Sequence, residues 1–494
     1  MLENGRIFTG DPAHPWTDAL AIRGERIAAI GADARRLEAT TRIDLGGKLV
    51  IPGINDAHVH APVLFDAHEV DGTDSDSTPT TLAAIERATH QVPAGTWLHA
   101  VLGEPSLDRR DLTRDALDKV APDHPVWVDN STGHVVVVNR AAEQRLALGP
   151  LPPGAFMDQP GWYFEYGRYL AMRKRAAGAT DAQIAEAVRA FEADAIARGI
   201  TTVQTFPLDV DAERLVHVLD ATPRKVRWHV MRVPIGGVIT PPKPPPLDAS
   251  AHVVLAGTKY FIDGMQIERG AALAAPYADS KTSGDDAPAL GRLDWDRADI
   301  RRMLLAARDS GDVLHLHVVG DRAIGAVLDE MERLGGDWTH LVVIEHAHLL
   351  ADVTRAKKLG ITVVATPFHG AHPATNLARL GADRSERWEP LHEIAGAGVP
   401  LALGSDGPLD PFANIALAVS HASSPLTREQ ALVAYTQGSA YDEHLDADKG
   451  KLVPGMVADL AVLSRDIVSQ DPIEARSVLT IVGGEIVFEA GAPL

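Results

Sequence analysis

Hydrophobic and polar positions fall into three textures along the chain. The first is at the start, where short apolar runs are broken by tight turns: GRIFT, DALAIRGERIAAIG and TRIDLGGKLV, with turn signals at Gly24-Glu25 and Gly46-Gly47. The end repeats it in KLVPGMVADLAVL and SVLTIVGGEIVFEAG. Two strand-rich ends around a long middle predict one small composite β-sandwich domain, residues 1–51 plus 450–494. The second texture covers residues 66–180, with DAHEVDGTDSDS, several Pro-Gly breaks and the aromatic cluster GWYFEYGRYLAM. These residues read as an inserted lid subdomain over the mouth of the middle domain.

The third texture is regular. DAQIAEAVRAFEADAIARG predicts a helix stopped at Gly199, and ITTVQTF a strand after it. Helical and strand patterns then alternate through KVRWHVMRV, VVLAGTKYFIDG, VLHLHVVGD, LVVIEHAHL, ITVVATPFH and VPLALGSDG. The proline-rich stretch at 241–246 reads as a loop. With the opening strand VIPGINDAHVH there are eight strands, mostly with helices between them. That pattern predicts a parallel (β/α)8 barrel over 52–449. No internal repeat or low-complexity tract interrupts it.

Composition narrows the function classes. The chain has 494 residues, 45% hydrophobic, and no cysteine. Disulfides, thiolate metal ligands and thiol nucleophiles are therefore excluded. A net charge of −20 spread along the chain argues against nucleic acid or an anionic membrane as partner. The N-terminus lacks the basic start and apolar run of a signal peptide, and no apolar run is long enough to span a bilayer. A cytoplasmic location is expected.

In a barrel of this kind catalytic groups sit at the C-terminal ends of the strands. His58 and His60 are two apart at the end of strand one, so on a strand they face the same way. Strand four carries Lys259, strand five His315 and His317, strand six His346 with His348 beyond, and strand eight Asp406. Imidazoles and a carboxylate around one rim are what a zinc-type site requires. A protonated lysine is a poor ligand. Carbamylated by carbon dioxide, Lys259 becomes a carboxylate able to bridge two ions; unmodified, it would pair with an acid such as Asp263. Spacing alone does not choose between these.

The motifs PGINDAHVH, GITTV, TKYFIDG, HVVGDRAI, IEHAH, ALGSDGPLDP, AYTQGSA and KGKLVPGMVADLAVL, with NGRIFT near the start, span nearly the whole chain. Together they resemble the urease-related amidohydrolase superfamily, and within it amidohydrolase family 3, the branch that includes N-substituted formamide deformylase. The resemblance implies that His58, His60 and Asp406 hold one divalent metal, expected to be zinc, and that His317 and His346 hold a second, so that one or two ions bind per chain. It also implies a carbamate of Lys259 as their bridge and Asp406 as the group that moves the proton. His315 would be core or supporting.

The chain departs from the family pattern in places. Glu345-His346-Ala347-His348 stands where Glu-His-Ala-Gln is usual, Thr366-Pro367-Phe368-His369 where a glutamine-proline pair is common, and Arg140 where a serine follows Gly133-His134 and Asn139. His134, His348 and His369 are candidates for substrate contact, with hydrogen-bonded structural histidines as the alternative. Trp162, Tyr163, Phe164 and Tyr166 are either lid packing or pocket wall. The implied function is hydrolysis of a C–N bond in a small-molecule amide or formamide, other than a peptide bond. The rivals are a lactone or ester hydrolase in the same site, and a non-catalytic interaction protein on the same fold. A homodimer or larger homo-oligomer is expected from the superfamily.

Overall fold

The computed structural model describes residues 1–64, 66–73, 77–280, 289–420 and 424–491. Residues 74–76 of the expected lid and 492–494 of the terminal domain thus lie outside the described residues. The middle of the chain forms eight parallel strands: β1 (Ile54–Val59), β2 (Ile200–Thr205), β3 (Arg227–Arg232), β4 (Val253–Phe261), β5 (Leu314–Val318), β6 (Val342–His346), β7 (Thr362–Ala365) and β8 (Leu401–Leu403). They hydrogen-bond in sequence order from β1 to β8. Most are buried along their whole length, as the near-continuous apolar runs require of a sheet covered on both faces. The expected helices follow in turn, among them Arg297–Ser310 after β4, Asp321–Leu334 after β5 and Val353–Leu359 after β6. The helix before β2 spans Asp181–Ala197; Thr180 and Gln183 form its capping box, and Gly199 at φ +78° follows its end.

Among the described residues no strand ladder joins β8 to β1. Other bonds close that seam. The Asp406 N–H donates to the His58 carbonyl at 2.9 Å. The buried carboxylate of Asp56 accepts the Ser405 N–H at 2.8 Å, and also the Ser405 hydroxyl. Gly404 lies against His58 so closely that a Cβ there would collide with its Cβ and backbone nitrogen.

Strands from both chain ends share one eight-stranded sheet. Leu460–Leu463 pairs Leu49–Pro52, which pairs Leu2–Phe8. The hairpin joining Ser477–Val482 to Glu485–Glu489 turns at Gly483 and Gly484, with φ of +56° and +79°, conformations a side chain would resist. The sheet packs over its own core, including Leu2, Ile7, Leu20, Val50, Leu460 and Ile481.

The stretch 66–180 is more ordered than its breaks suggest. It holds a six-stranded sheet built on Leu98–Leu102, Val126–Asn130, Val135–Val138 and Trp162–Glu165, with helices such as Thr78–Thr89. Trp162, Tyr163, Phe164 and Tyr166 are packing and do not line the cavity at the barrel mouth. Trp162 and Phe164 sit in the core of this subdomain. Tyr163 faces the opposite way into the main core, and the Tyr166 hydroxyl accepts the Phe261 N–H at 3.0 Å.

Gly404→Ala is expected to force the seam apart, costing about 1–3 kcal/mol. Thermal unfolding followed by circular dichroism checks this; an unchanged Tm would show that the seam absorbs a methyl group.

Candidate metal centre

The C-terminal mouth of the barrel gathers the residues singled out from the sequence. His58 lies in β1 and His60 just beyond it, with ring centroids 5.1 Å apart. Their Nε2 atoms lie 3.4 and 3.0 Å from Asp406 Oδ1. The other nitrogen of each ring is occupied: His58 Nδ1 donates to Glu345 Oε2 at 2.7 Å, and His60 Nδ1 to the Phe206 carbonyl at 2.9 Å. Both partners only accept, so each Nε2 carries the lone pair. One ligand atom from each of His58, His60 and Asp406 falls within 4.8 Å of the others.

His317 near the end of β5 and His346 at the end of β6 stand with ring centroids 4.4 Å apart. Glu345 and His346 are neighbours on a strand, so extended backbone would send them to opposite faces. The chain instead turns into the left-handed region, with φ +73° at His346 and +50° at Ala347. Both side chains are thereby brought into use, Glu345 beneath the mouth and His346 at it. Asp406 is held at φ +44°. Such conformations in non-glycine residues cost energy and cluster at functional sites.

Nε2 of His58, His317 and His346, and Nζ of Lys259, are buried without a hydrogen-bond partner. Buried polar atoms are ordinarily satisfied, so three unpartnered imidazole nitrogens at one rim suit a bound cation. Burial holds His58, His317 and His346 below the usual imidazole range. They are then neutral, the ligand form. The imidazoles of His58, His60 and His369 all turn an Nε2 to the Asp406 carboxylate.

Lys259 does not pair with Asp263. Asp263 instead accepts backbone N–H groups of Ala272, Val319 and Gly320 at 2.8–2.9 Å, bracing the loops after β4 and β5. Its side chain is therefore turned away from the lysine. Lys259 Nζ lies 4.0 Å from Glu345 Oε1 and 4.3 Å from the Phe206 ring centroid, and burial draws its ammonium down to about 8. In the sequence Glu345 stands out only as part of the motif Glu345-His346-Ala347-His348. It accepts from His58 and, at 2.8 Å, from His315 Nδ1, so His315 lies below the mouth as a supporting residue. Thr366 Oγ1 lies 2.7 Å from His346 Nδ1.

Between the mouth and the inserted subdomain lies a cavity of about 320 Å³, lined by His60, His134, Arg168, His317 and Asp406 among others. His134 reaches it from the inserted subdomain. Its Nδ1 is 2.8 Å from Glu165 Oε2, and although burial opposes the charge, Glu165 raises the imidazole to about 9. Sequence gave no sign of Glu165, which sits at φ +46° directly before the helix Tyr166–Ala176. His369 faces Asp406 with Nε2 3.4 Å from Oδ2. His348 is fully buried behind it, its Nε2 3.1 Å from His369 Nδ1, and does not line the cavity.

The sequence profile described as the amidohydrolase family matches residues 41–488. The protein LONG AFTER FAR-RED 3 of Arabidopsis thaliana is 26% identical over 549 aligned residues, covering 99% of this chain and 91% of that protein. The N-substituted formamide deformylase of Arthrobacter pascens is 26% identical over 535, covering 99% and 98%. Among solved structures, an uncharacterised metal-dependent hydrolase from Pyrococcus horikoshii superposes with a TM-score of 0.73 at 23% identity, covering 95% of this chain and 98% of that one. It shares the fold.

Glu345→Gln leaves one acceptor oxygen for two imidazoles. It is expected to weaken metal affinity about 10–100-fold, as measured by competition with a chromogenic zinc chelator. Unchanged affinity would remove Glu345 from the support of the centre.

Proposed function

Because the chain belongs to the amidohydrolase family, we propose that it is a metal-dependent hydrolase that cleaves a C–N bond of a small non-peptide amide. The observation that carries this reading is the convergence of His58, His60 and Asp406 at the barrel mouth, each imidazole with its outer nitrogen already held. Cleavage of a formamide-type bond is supported by the full-length likeness to N-substituted formamide deformylase. The cavity of about 320 Å³ is at the lower end of small-molecule sites.

In this reading His58, His60 and Asp406 hold one divalent ion, and His317 and His346 take part in holding a second. Such ions, when bound, acidify water and polarise a carbonyl oxygen. The residues of the chain do the rest. Asp406 accepts the proton of the attacking water and passes it to the departing amine, which leaves protonated. His134, clamped by Glu165, closes the cavity from the inserted subdomain and offers its remaining ring edge to the substrate. We assign Lys259, buried with an Nζ that makes no hydrogen bond, as the residue that would carry a carbamate.

Chelation of the purified protein is expected to abolish hydrolysis, and zinc with bicarbonate to restore it. Amides and formamides assayed beside lactones and esters decide the bond: faster turnover of the lactones would replace this reading with its rival. With metal in excess, Asp406→Asn is expected to lower kcat about 10²–10⁴-fold. Retained turnover would exclude Asp406 as the proton carrier. Lys259→Ala is expected to lose turnover and metal together; a fully loaded, active variant would dispose of the carbamate.

A further inference from the structure

Asp406 offers its two oxygens to two different sets of imidazoles. Oδ1 faces His58 Nε2 at 3.4 Å and His60 Nε2 at 3.0 Å. Oδ2 faces His369 Nε2 at 3.4 Å and His346 Nε2 at 3.7 Å. The 3.7 Å separation is too long for a hydrogen bond and the 3.4 Å one is long for it. Two ligand atoms each about 2.1 Å from a tetrahedral zinc-type ion stand roughly 3.4 Å apart. The pairs on Oδ2 fit that spacing as well as the pairs on Oδ1 do.

We propose that His369 is a metal ligand, and that its Nε2 joins His317 and His346 in holding the second cation, on the side of the mouth that Asp406 Oδ2 faces. This deepens the metal-dependent reading above and rests on it. His369 stands in the helical turn Pro367–Ala371 just after β7, a strand from which the resemblance drew no ligand.

The surroundings of His369 support the assignment. Its Nδ1 is occupied from behind, 3.1 Å from His348 Nε2 and 3.1 Å from Thr366 Oγ1. The nitrogen facing Asp406 is thus the free one. His348 is backed in turn by Glu389, with Nδ1 3.1 Å from Oε1, and its ring stacks on Trp388 at 4.2 Å. The Glu389 N–H also donates to the His348 carbonyl at 2.9 Å. An imidazole hydrogen-bonded behind a ligating imidazole, and itself wedged against Trp388 and Glu389, fixes the orientation of the ligating ring. This arrangement also gives a role to His348, which stands where the family pattern has glutamine: a ring here reaches His369 on one side and Glu389 on the other.

The test is titration of the full-length apoprotein with Co(II) in bicarbonate buffer. The readouts are visible absorption and bound cobalt per chain after gel filtration. The wild type is expected to take two ions. His369→Ala should bind the first with unchanged Kd and the second at least 100-fold more weakly. His348→Gln, which leaves every proposed ligand in place, should weaken the second about 10–100-fold. The first-site Kd reports correct folding in each variant; where His369→Ala loses that site too, His348→Gln decides. Two ions at wild-type affinity in both variants would overturn the assignment. A wild type that takes one ion, unaffected by either change, would also overturn it while leaving the hydrolase reading intact. A wild type that takes none would sink both.

Discussion

A single buried carboxylate, Glu345, underlies the centre. It is wholly enclosed inside the barrel, where an unpaired charge is prohibitively costly. Burial pushes its proton affinity up, but Lys259, His58 and His315 together hold it ionised. The same bonds orient His58, set its tautomer and tie strands β1, β5 and β6 to one point. A buried ion pair contributes little net stability by itself, but removing one member leaves the others exposed to the cost of burial. The centre and the inner core of the barrel are therefore one electrostatic unit.

The second constraint is the seam between β8 and β1. Ladder bonds do not close it, so Asp56, Ser405 and the close approach of Gly404 do so instead. Two of the proposed ligands, His58 and Asp406, stand on either side of that junction and share a backbone hydrogen bond. Their separation is thus set by barrel closure. The left-handed residues at His346, Ala347 and Asp406 are part of the same construction: each turns the chain at a strand end so that a side chain points across the mouth. The regular strands on either side hold these turns in place.

Much of this was legible in the sequence. Strand and helix periods, glycine stops and the positions of His58, His60, Lys259, His317, His346 and Asp406 at strand ends depend on near neighbours in the chain, and the barrel followed from them. The inserted subdomain was less readable. Its strands include very short ones such as His68–Glu69, and its longer ones lie among proline and glycine breaks. The partners of the site residues could not be read at all. Glu345 reaches His58 across 287 positions, and Glu165 reaches His134 by leaving the extended backbone at its own position.

By itself, then, the sequence determined the architecture and which side chains reach the rim, because alternation along a strand and the rule of strand ends are local geometry. Only the tertiary structure decided which nitrogen of each imidazole is free, that Asp263 braces loops while Lys259 faces Glu345, and that His369 looks at the second oxygen of Asp406. Those outcomes depend on contacts between strands far apart in the chain. They are set by barrel closure and by the need of each buried polar atom for a partner, and no local pattern encodes either.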